Sequence, residues 1–429
     1  MPNKIAGDRE IGNALSTKNK ALRINLNENI YGTFAEIGAG QETVRHFFRA
    51  AEPSRTIAKA MSAYDKDFSD SIYGLDPQGR YVTEGRLKAM LEYETFLIEK
   101  RLPREKHIQF HETSAVLQQI TLGILGVNLI YGGFYLYDKP IELLRSLYDN
   151  LDTHRIEIDT INFLGPLFEA VDNRLMSLQL VKNGMTEAVM FAPDGNNVLA
   201  ANILYKKNIL TLRGSFRPVT KVHMSMYEKS LELFLKEKKV DKEKTVVIFE
   251  ITLSNLKAEG EIDEKDFLDR ADLLCALGQT VMISNFQEYY KVVEYFSLHT
   301  KERMGLTMGV TTFIDIFDEK YYRHLSGGIL EAFGKLFFKD LKIYLYPLKE
   351  NGEVITSRNL KLHPRMKELY KYFRDNGRVV DITDFDPEIL DIDSRAVHHM
   401  IVDGVPGWEG SLPPSTAAMI KEKNLFQNK

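Results

Sequence analysis

Three short strings hold residue types that capture anions. Gly38-Ala39-Gly40 stands just ahead of the helical pattern QETVRHFFRAA, so backbone N–H groups there could meet a phosphate or carboxylate, with Arg45 and His46 one turn further on. Ser326-Gly327-Gly328 precedes ILEAFGKLF in the same way and is flanked by Arg323 and His324. Arg213 and Arg217, in LRGSFRPVT, form a compact basic pair at a strand end that could clamp an anion. Each string has a plainer reading as well: a tight loop into a helix, a serine N-cap beside glycines, and arginines paired with carboxylates across a domain boundary.

Other chemistry is sparse. The single cysteine, Cys275, lies among apolar neighbours in DFLDRADLLCALG and reads as a small buried hydrophobe rather than a nucleophile. One thiol excludes an internal disulfide and any multi-cysteine zinc or iron–sulfur site within one chain, which fits a reducing cytoplasm. His107 and His111 are four apart without a third nearby ligand, and the adjacent His398 and His399 point apart, so no metal site is expected. Neither a Gly-any-Ser-any-Gly elbow nor a phosphate-binding loop ending in Gly-Lys-Ser/Thr occurs, and no cofactor is specified.

The elements that must position these residues follow from periodicity. VNLIYGG, RIEIDTINFLG, EAVMFAPDG, NILTLRG, TVVIFEITL, QTVMISN, MGLTMGV and LKIYLYPL read as strands, and amphipathic helical patterns such as MSMYEKSLELFLKEKK and EYYKVVEYFSLHTKER separate them. The alternation predicts an α/β fold with doubly wound, mostly parallel, Rossmann-like sheets. Ligands of such folds gather at the carboxyl ends of the strands, which points to Gly132-Gly133, Asp194-Gly195, Glu250, Ser284-Asn285 and Gly309. Asp172 or Asn173 is placed to cap the helix EAVDNRLMSLQLVKNG, and Gly184 to end it.

At 429 residues the chain has room for several domains. The pattern predicts a helical N-terminal region over 1–105, one α/β unit over 106–220, a second over 221–350, and a C-terminal helix with an extended Pro- and Gly-bearing tail over 351–429. SAYDKDFSDSIYG reads as a polar loop in the first of these. Residues 113–137 carry no charge, yet their glutamines, asparagine and glycines favour a buried helix, SAVLQQITLGIL, followed by the strand VNLIYGG over a membrane span. Lys plus Arg is 56 and Asp plus Glu is 60, a balance that offers no bulk attraction to nucleic acid or to an anionic membrane. The aromatic content and the tail with the sole tryptophan, Trp408, suit contacts between copies of the chain, so a homo-oligomer is expected.

YGTFAEIGAGQETVRHFF resembles the opening of the nucleotidyltransferases that adenylylate nicotinate or nicotinamide mononucleotide. That family has a strand-end Gly-Thr-Phe, then Asp-Pro-Ile, then His-any-Gly-His opening a helix. Gly32, Thr33, Phe34, Ile37 and Gly40 fall in register, whereas Ala35 and Glu36 replace the aspartate and proline, and Gly38 and Gln41 stand where the histidines belong. The resemblance implies a nucleotide site built on Gly32, Thr33, Phe34, Gly38, Gly40 and Arg45, without the histidine pair that stabilises the transferring phosphates. VVIFEITLSNL with VMISNF resembles the haloacid-dehalogenase phosphatases: Ser284 and Asn285 match a strand-end Ser/Thr-Asn, while Glu250 and Thr252 replace the two aspartates. The whole chain is similar to an uncharacterised bacterial family of about this length in AEIGAGQETVRHFFRAA, SAYDKDFSDSIYG, VDNRLMSLQLV and SNFQEYYKVVEYF, a family that commonly carries a nicotinate-nucleotide adenylyltransferase label. These readings imply a protein that binds a nucleotide or a phosphorylated metabolite, with Ser284, Asn285, Ser326, Gly327 and Gly328 as further contacts. A self-assembling scaffold without catalysis and a phosphatase relic are the alternatives.

Overall fold

The structure is a computed structural model and describes residues 15–37, 41–63, 65–76, 82–101, 116–151, 156–257, 260–338 and 341–426. Gly38, Gly40, His107 and His111 lie outside the described residues. The chain divides into two compact units: unit 1 is Met1–Glu157 with Leu164–Val171, and unit 2 is Ile158–Phe163 with Asp172–Lys429.

Unit 1 contains α1 (Thr17–Asn25), β1 (Gly32–Ile37), α2 (Gln41–Arg49), β2 (Ile57–Ala63), α3 (Lys66–Tyr73), α4 (Glu84–Arg101), α5 (Val116–Tyr135) and α6 (Pro140–Ser146). The wholly helical reading of 1–105 is corrected here, because β1 and β2 pair in parallel around α2. β2 is IAKAMSA, whose alanines and lysine carry little strand propensity, so packing rather than propensity makes it a strand. The loop expected over SAYDKDFSDSIYG is in part helix α3, capped by the Asp65 side chain on the Phe68 amide.

The strand expected at VNLIYGG is also corrected, since it is the second half of helix α5. Its glycines are there for close approach. A Cβ on Gly126 would stand 2.4 Å from Thr43 Oγ1, and one on Gly123 would stand 3.0 Å from the Glu42 backbone, so α5 lies directly on α2. Asn128, fully buried on α5, accepts from Lys20 Nζ at 2.8 Å and donates to the carbonyls of Leu147 and Asp149. Lys20 is itself buried and is matched by Asp149 at 2.6 Å. Among the described residues no helix is long and apolar enough to cross a membrane.

Unit 2 is α/β with a mostly parallel sheet. Its elements are α7 (Asn173–Lys182), β3 (Ala188–Phe191), β4 (Asn197–Val198), α8 (Ala200–Leu204), β5 (Asn208–Arg213), α9 (Lys221–Leu235), β6 (Thr245–Thr252), α10 (Leu253–Leu256), α11 (Glu264–Ala276), β7 (Thr280–Ser284), α12 (Tyr289–His299), β8 (Met304–Gly309), α13 (Val310–Asp315), α14 (Gly328–Leu336), β9 (Lys342–Tyr346), β10 (Leu348–Glu350), β11 (Glu353–Ile355), α15 (Lys367–Asp375), β12 (Val379–Asp381), α16 (Ser394–Val402) and α17 (Pro414–Lys423). β10 and β11 form a separate hairpin. The main sheet has eight strands in the order β12-β9-β8-β5-β6-β7-β3-β4, antiparallel only at β3 and β4. Strands from both the 106–220 and the 221–350 spans pair in this one sheet, so the expected division near Lys221 falls inside a single unit.

From β5 the chain winds outward to β6 and β7, then returns to β5's other edge with β8, β9 and β12. The strand order therefore reverses between β5 and β8. Ile209, Ile248, Met282, Leu306 and Ile343 face α12, α14 and α15 in one apolar core. The alternate residues, among them Phe249 and Tyr344, face α9, where they meet the rings of Tyr227 and Phe234. α7 begins at Asp172, whose carboxylate accepts from the Arg174 amide, and ends at Gly184 with φ of +67°. RIEIDTINFLG, expected as a strand, is irregular, and its polar backbone is satisfied by side chains: Asn173 holds both the N–H and the C=O of Phe163, and Asn197 donates to the Ile161 carbonyl. The tail expected to be extended folds as a short 3₁₀ turn at Trp408–Ser411 and the helix α17, whose first residue is a proline with its fixed φ. Trp408 is buried within its own chain, with Lys421 over its ring.

Candidate functional site

At the carboxyl edge of the main sheet, the strand-end residues form a closed polar network. Arg213, the last residue of β5, places Nε and Nη2 each 2.9 Å from the two carboxylate oxygens of Glu250 on β6. The Ser284 hydroxyl at the end of β7 donates to the same carboxylate at 2.6 Å, and the third arm of Arg213 donates to the Gln287 carbonyl. The Tyr289 ring lies 4.2 Å from the guanidinium. Burial opposes the charge on Arg213, but Glu250, Tyr289 and Glu288 together outweigh it and lift the pKa above its ordinary value. Burial pushes the Tyr289 phenol up to about 12, so it stays neutral. Arg217 donates to Asp266 at 2.5 Å, and Asp266 also pairs with Arg270, which in turn holds the carbonyls of Ser215 and Asn255. The basic pair read from the sequence is thus neutralised by carboxylates of its own unit.

The other expected contacts are dispersed over the two units. Asn285 has an exposed side chain, and its amide donates to the Glu187 carbonyl. Ser326 is exposed, and the free Gly327 amide at the start of α14 is taken by Glu331 Oε2 at 2.9 Å. In unit 1 the Glu36 carboxylate lies at the start of α2, accepting from the Val44 amide at 3.4 Å and the Ser62 hydroxyl at 3.0 Å. Burial pushes Glu36 up to about 7. Arg45 is paired with Glu42 on its own helix. Gly32 donates to the Thr56 carbonyl, Thr33 to the Lys59 carbonyl, and Phe34 packs on Phe47. The cavity beside Gly32, Thr33 and Phe34 is about 20 Å³, room for roughly one water. The structure does not bring the N-terminal string together with Ser284, Asn285 or the 326–328 turn in one unit.

A different region of unit 2 is open. A cavity of about 620 Å³, within the rough 300–1,000 Å³ span of small-molecule sites, lies at the amino edge of the main sheet. Its described lining has five cationic side chains, Lys236, Lys238, Arg303, Lys342 and Arg378, and one carboxylate, Glu237. Arg303 directly precedes β8, Lys342 opens β9 and Arg378 directly precedes β12, three neighbouring strands, while Lys236 and Lys238 follow the end of α9. Lys342 pairs with Glu237 at 2.6 Å. The helix α15 stops in a Schellman turn: the Arg378 amide bonds the Phe373 carbonyl and the Gly377 amide bonds that of Arg374, with Gly377 at φ of +66°. That turn delivers Arg378 to the cavity.

Tyr344 and Tyr372 complete the aromatic part of the wall. Tyr344 is 1% exposed, and its hydroxyl is buried beside the Glu237 carboxylate. Burial, and then the Glu237 charge, hold its phenol above the ordinary range, so it remains a proton donor. Its ring leans over Gly305 on β8, where a Cβ would stand 2.8 Å from Tyr344 Cε2.

None of these lining residues was singled out from the sequence. The available signal was a basic residue immediately before each of MGLTMGV, IYLY and VVD, which gains meaning only once the three strands are known to be neighbours.

No protein-family model and no curated protein matches the chain. Two solved structures of the nicotinic acid mononucleotide adenylyltransferase of Plasmodium falciparum align with it. One, complexed with APC, is 14% identical with a TM-score of 0.32, and the other, complexed with NaAD, is 15% identical with a TM-score of 0.31; both cover 51% of this chain and 97% of their own. The backbones diverge too far at those scores for residues to be carried across.

Proposed function

We propose that unit 2 binds a phosphorylated small molecule, a nucleotide or a phosphorylated metabolite, in the amino-edge cavity. The observation that carries this reading is the group of lysine and arginine side chains, Lys236, Lys238, Arg303, Lys342 and Arg378, on a concave wall of ligand size. Lys and Arg side chains supply charge-assisted donors at this wall. Binding is thereby moved from the carboxyl edge, where Arg213, Arg217 and Arg270 face Glu250 and Asp266, to the opposite edge.

The test is ligand-dependent melting of the full chain. Inorganic phosphate, ribose 5-phosphate and AMP at millimolar concentration are expected to raise the melting temperature, since a ligand held by the native form alone stabilises it by about 2.7 kcal/mol at a hundredfold excess over Kd. Lys238→Glu, at an exposed rim position, is expected to reduce that rise while leaving the unliganded melting point unchanged. No rise with any of the three anions overturns the reading.

A further inference from the structure

Resting on that reading, we infer that the occupant of the amino-edge cavity is a nucleotide, its base stacked on the Tyr372 ring and its phosphoryl group held by the lysines at the end of α9. The first argument is the ring. Tyr370 and Phe373 of α15 enter the apolar core at 7% and 8% exposure, whereas Tyr372 stands on the outer side of the helix, 63% exposed, and lines the cavity. Its ring meets that of Phe373 edge-on, with centroids 5.4 Å apart and planes at 82°. With so much of the residue exposed, a flat face remains for a guest. A sugar phosphate has no plane to lay against such a ring, and every nucleobase has one.

The second argument is the floor of the cavity. Val380 on β12 stands level with Tyr344 on β9. Their neighbours Val379 and Ile343 enter the core on one face of the sheet, so Val380 and Tyr344 share the other, which α9 covers. Leu233 of α9 joins them in the lining. The wall is thus part apolar and aromatic and part cationic. Inorganic phosphate or a sugar phosphate is polar over its whole surface and would leave the apolar part wetted, while a nucleotide has both an apolar plane and a charged end.

Asn376 supplies the polar contact for the edge of the base. Its Nδ2 donates to the Tyr372 carbonyl at 2.7 Å, which fixes the amide one turn from the ring and leaves Oδ1 to accept from a ring or exocyclic N–H. Lys236 and Lys238, both exposed, bring the donors for the phosphoryl group.

The experiment is calorimetric titration of the full chain with inorganic phosphate, ribose 5-phosphate and AMP. AMP is ribose 5-phosphate with a base in place of the anomeric hydroxyl, so the ratio of their dissociation constants measures what the base adds. AMP is expected to bind about tenfold tighter than ribose 5-phosphate, or better. Tyr372→Ala is expected to remove most of that ratio while changing ribose 5-phosphate binding by less than about threefold, and Tyr372→Phe, which keeps the ring, to retain it. If Tyr372→Ala fails to fold, Tyr372→Leu keeps the apolar volume without the plane and is expected to lose the ratio in the same way. Equal affinities for AMP and ribose 5-phosphate overturn the inference and leave the anion reading standing. A ratio that survives the loss of the ring also overturns it. If none of the three probes binds, the anion reading itself fails and the inference falls with it.

Discussion

The two edges of the main sheet in unit 2 use the same residue types to opposite effect. At the carboxyl edge Arg213, Arg217 and Arg270 are matched by Glu250 and Asp266, and Arg213 and Arg270 are almost fully buried. At the amino edge Lys236, Lys238, Arg303, Lys342 and Arg378 line an open cavity. A buried arginine must be paired, because an unpaired charge in the interior costs several kcal/mol, and pairing removes it from ligand binding. The fold-level expectation that ligands collect at carboxyl ends describes where a crevice forms, and here the chain has filled that place with its own side chains.

The same filling recurs elsewhere. Glu36 occupies the start of α2, and Glu331 occupies the start of α14. Both helix starts read as anion seats in the sequence, and both already hold an internal carboxylate.

The comparison is broken most forcefully at Glu250. Glu250→Ala leaves Arg213 buried without its partner and Ser284 without its acceptor, and a loss of about 3–5 kcal/mol is expected from denaturant unfolding. A loss below about 1 kcal/mol would mean that the carboxyl edge is not held by this network. Gly305→Ala probes the opposite edge. The new Cβ meets Tyr344, Leu210 and Phe234 at 2.8–3.2 Å, so about 1–3 kcal/mol of stability is expected to go, together with the anion-induced rise in melting temperature.

The smallest effect is a slope. The folded Glu36 titrates at about 7, against 4.5 for the free group. Below pH 4.5 the folded and unfolded chains both hold this proton. Between there and pH 7 only the folded chain does, so stability falls by about 1 kcal/mol per pH unit as pH rises, and this contribution is flat above 7. Glu36→Gln is expected to remove that slope in melting curves taken across the window. An unchanged slope would show that the carboxylate is solvated.

How far the sequence could be read depended on the kind of signal. β5 to β9 are nearly continuous apolar runs between amphipathic helices, and their type was legible because a sheet covered on both faces demands that pattern. The Asp172 cap and the Gly184 stop were legible because capping is local. α5 was misread because glycines that let it lie on α2 look, in one dimension, like strand-end punctuation. β2 was missed because its residues favour no strand until β1 is beside it. The Glu331 cap sits four residues after Gly327 and could have been foreseen, whereas Glu250 meets Arg213 across 37 positions of sequence.

By itself the order of residues determined which segments are strands and helices in most of unit 2, since burial on one face or two imposes a period on the side chains. Which charges gather on one wall was decided only in three dimensions. Coulomb attraction and desolvation act on neighbours in space, and the row of Arg303, Lys342 and Arg378 comes into being only when β8, β9 and β12 lie side by side.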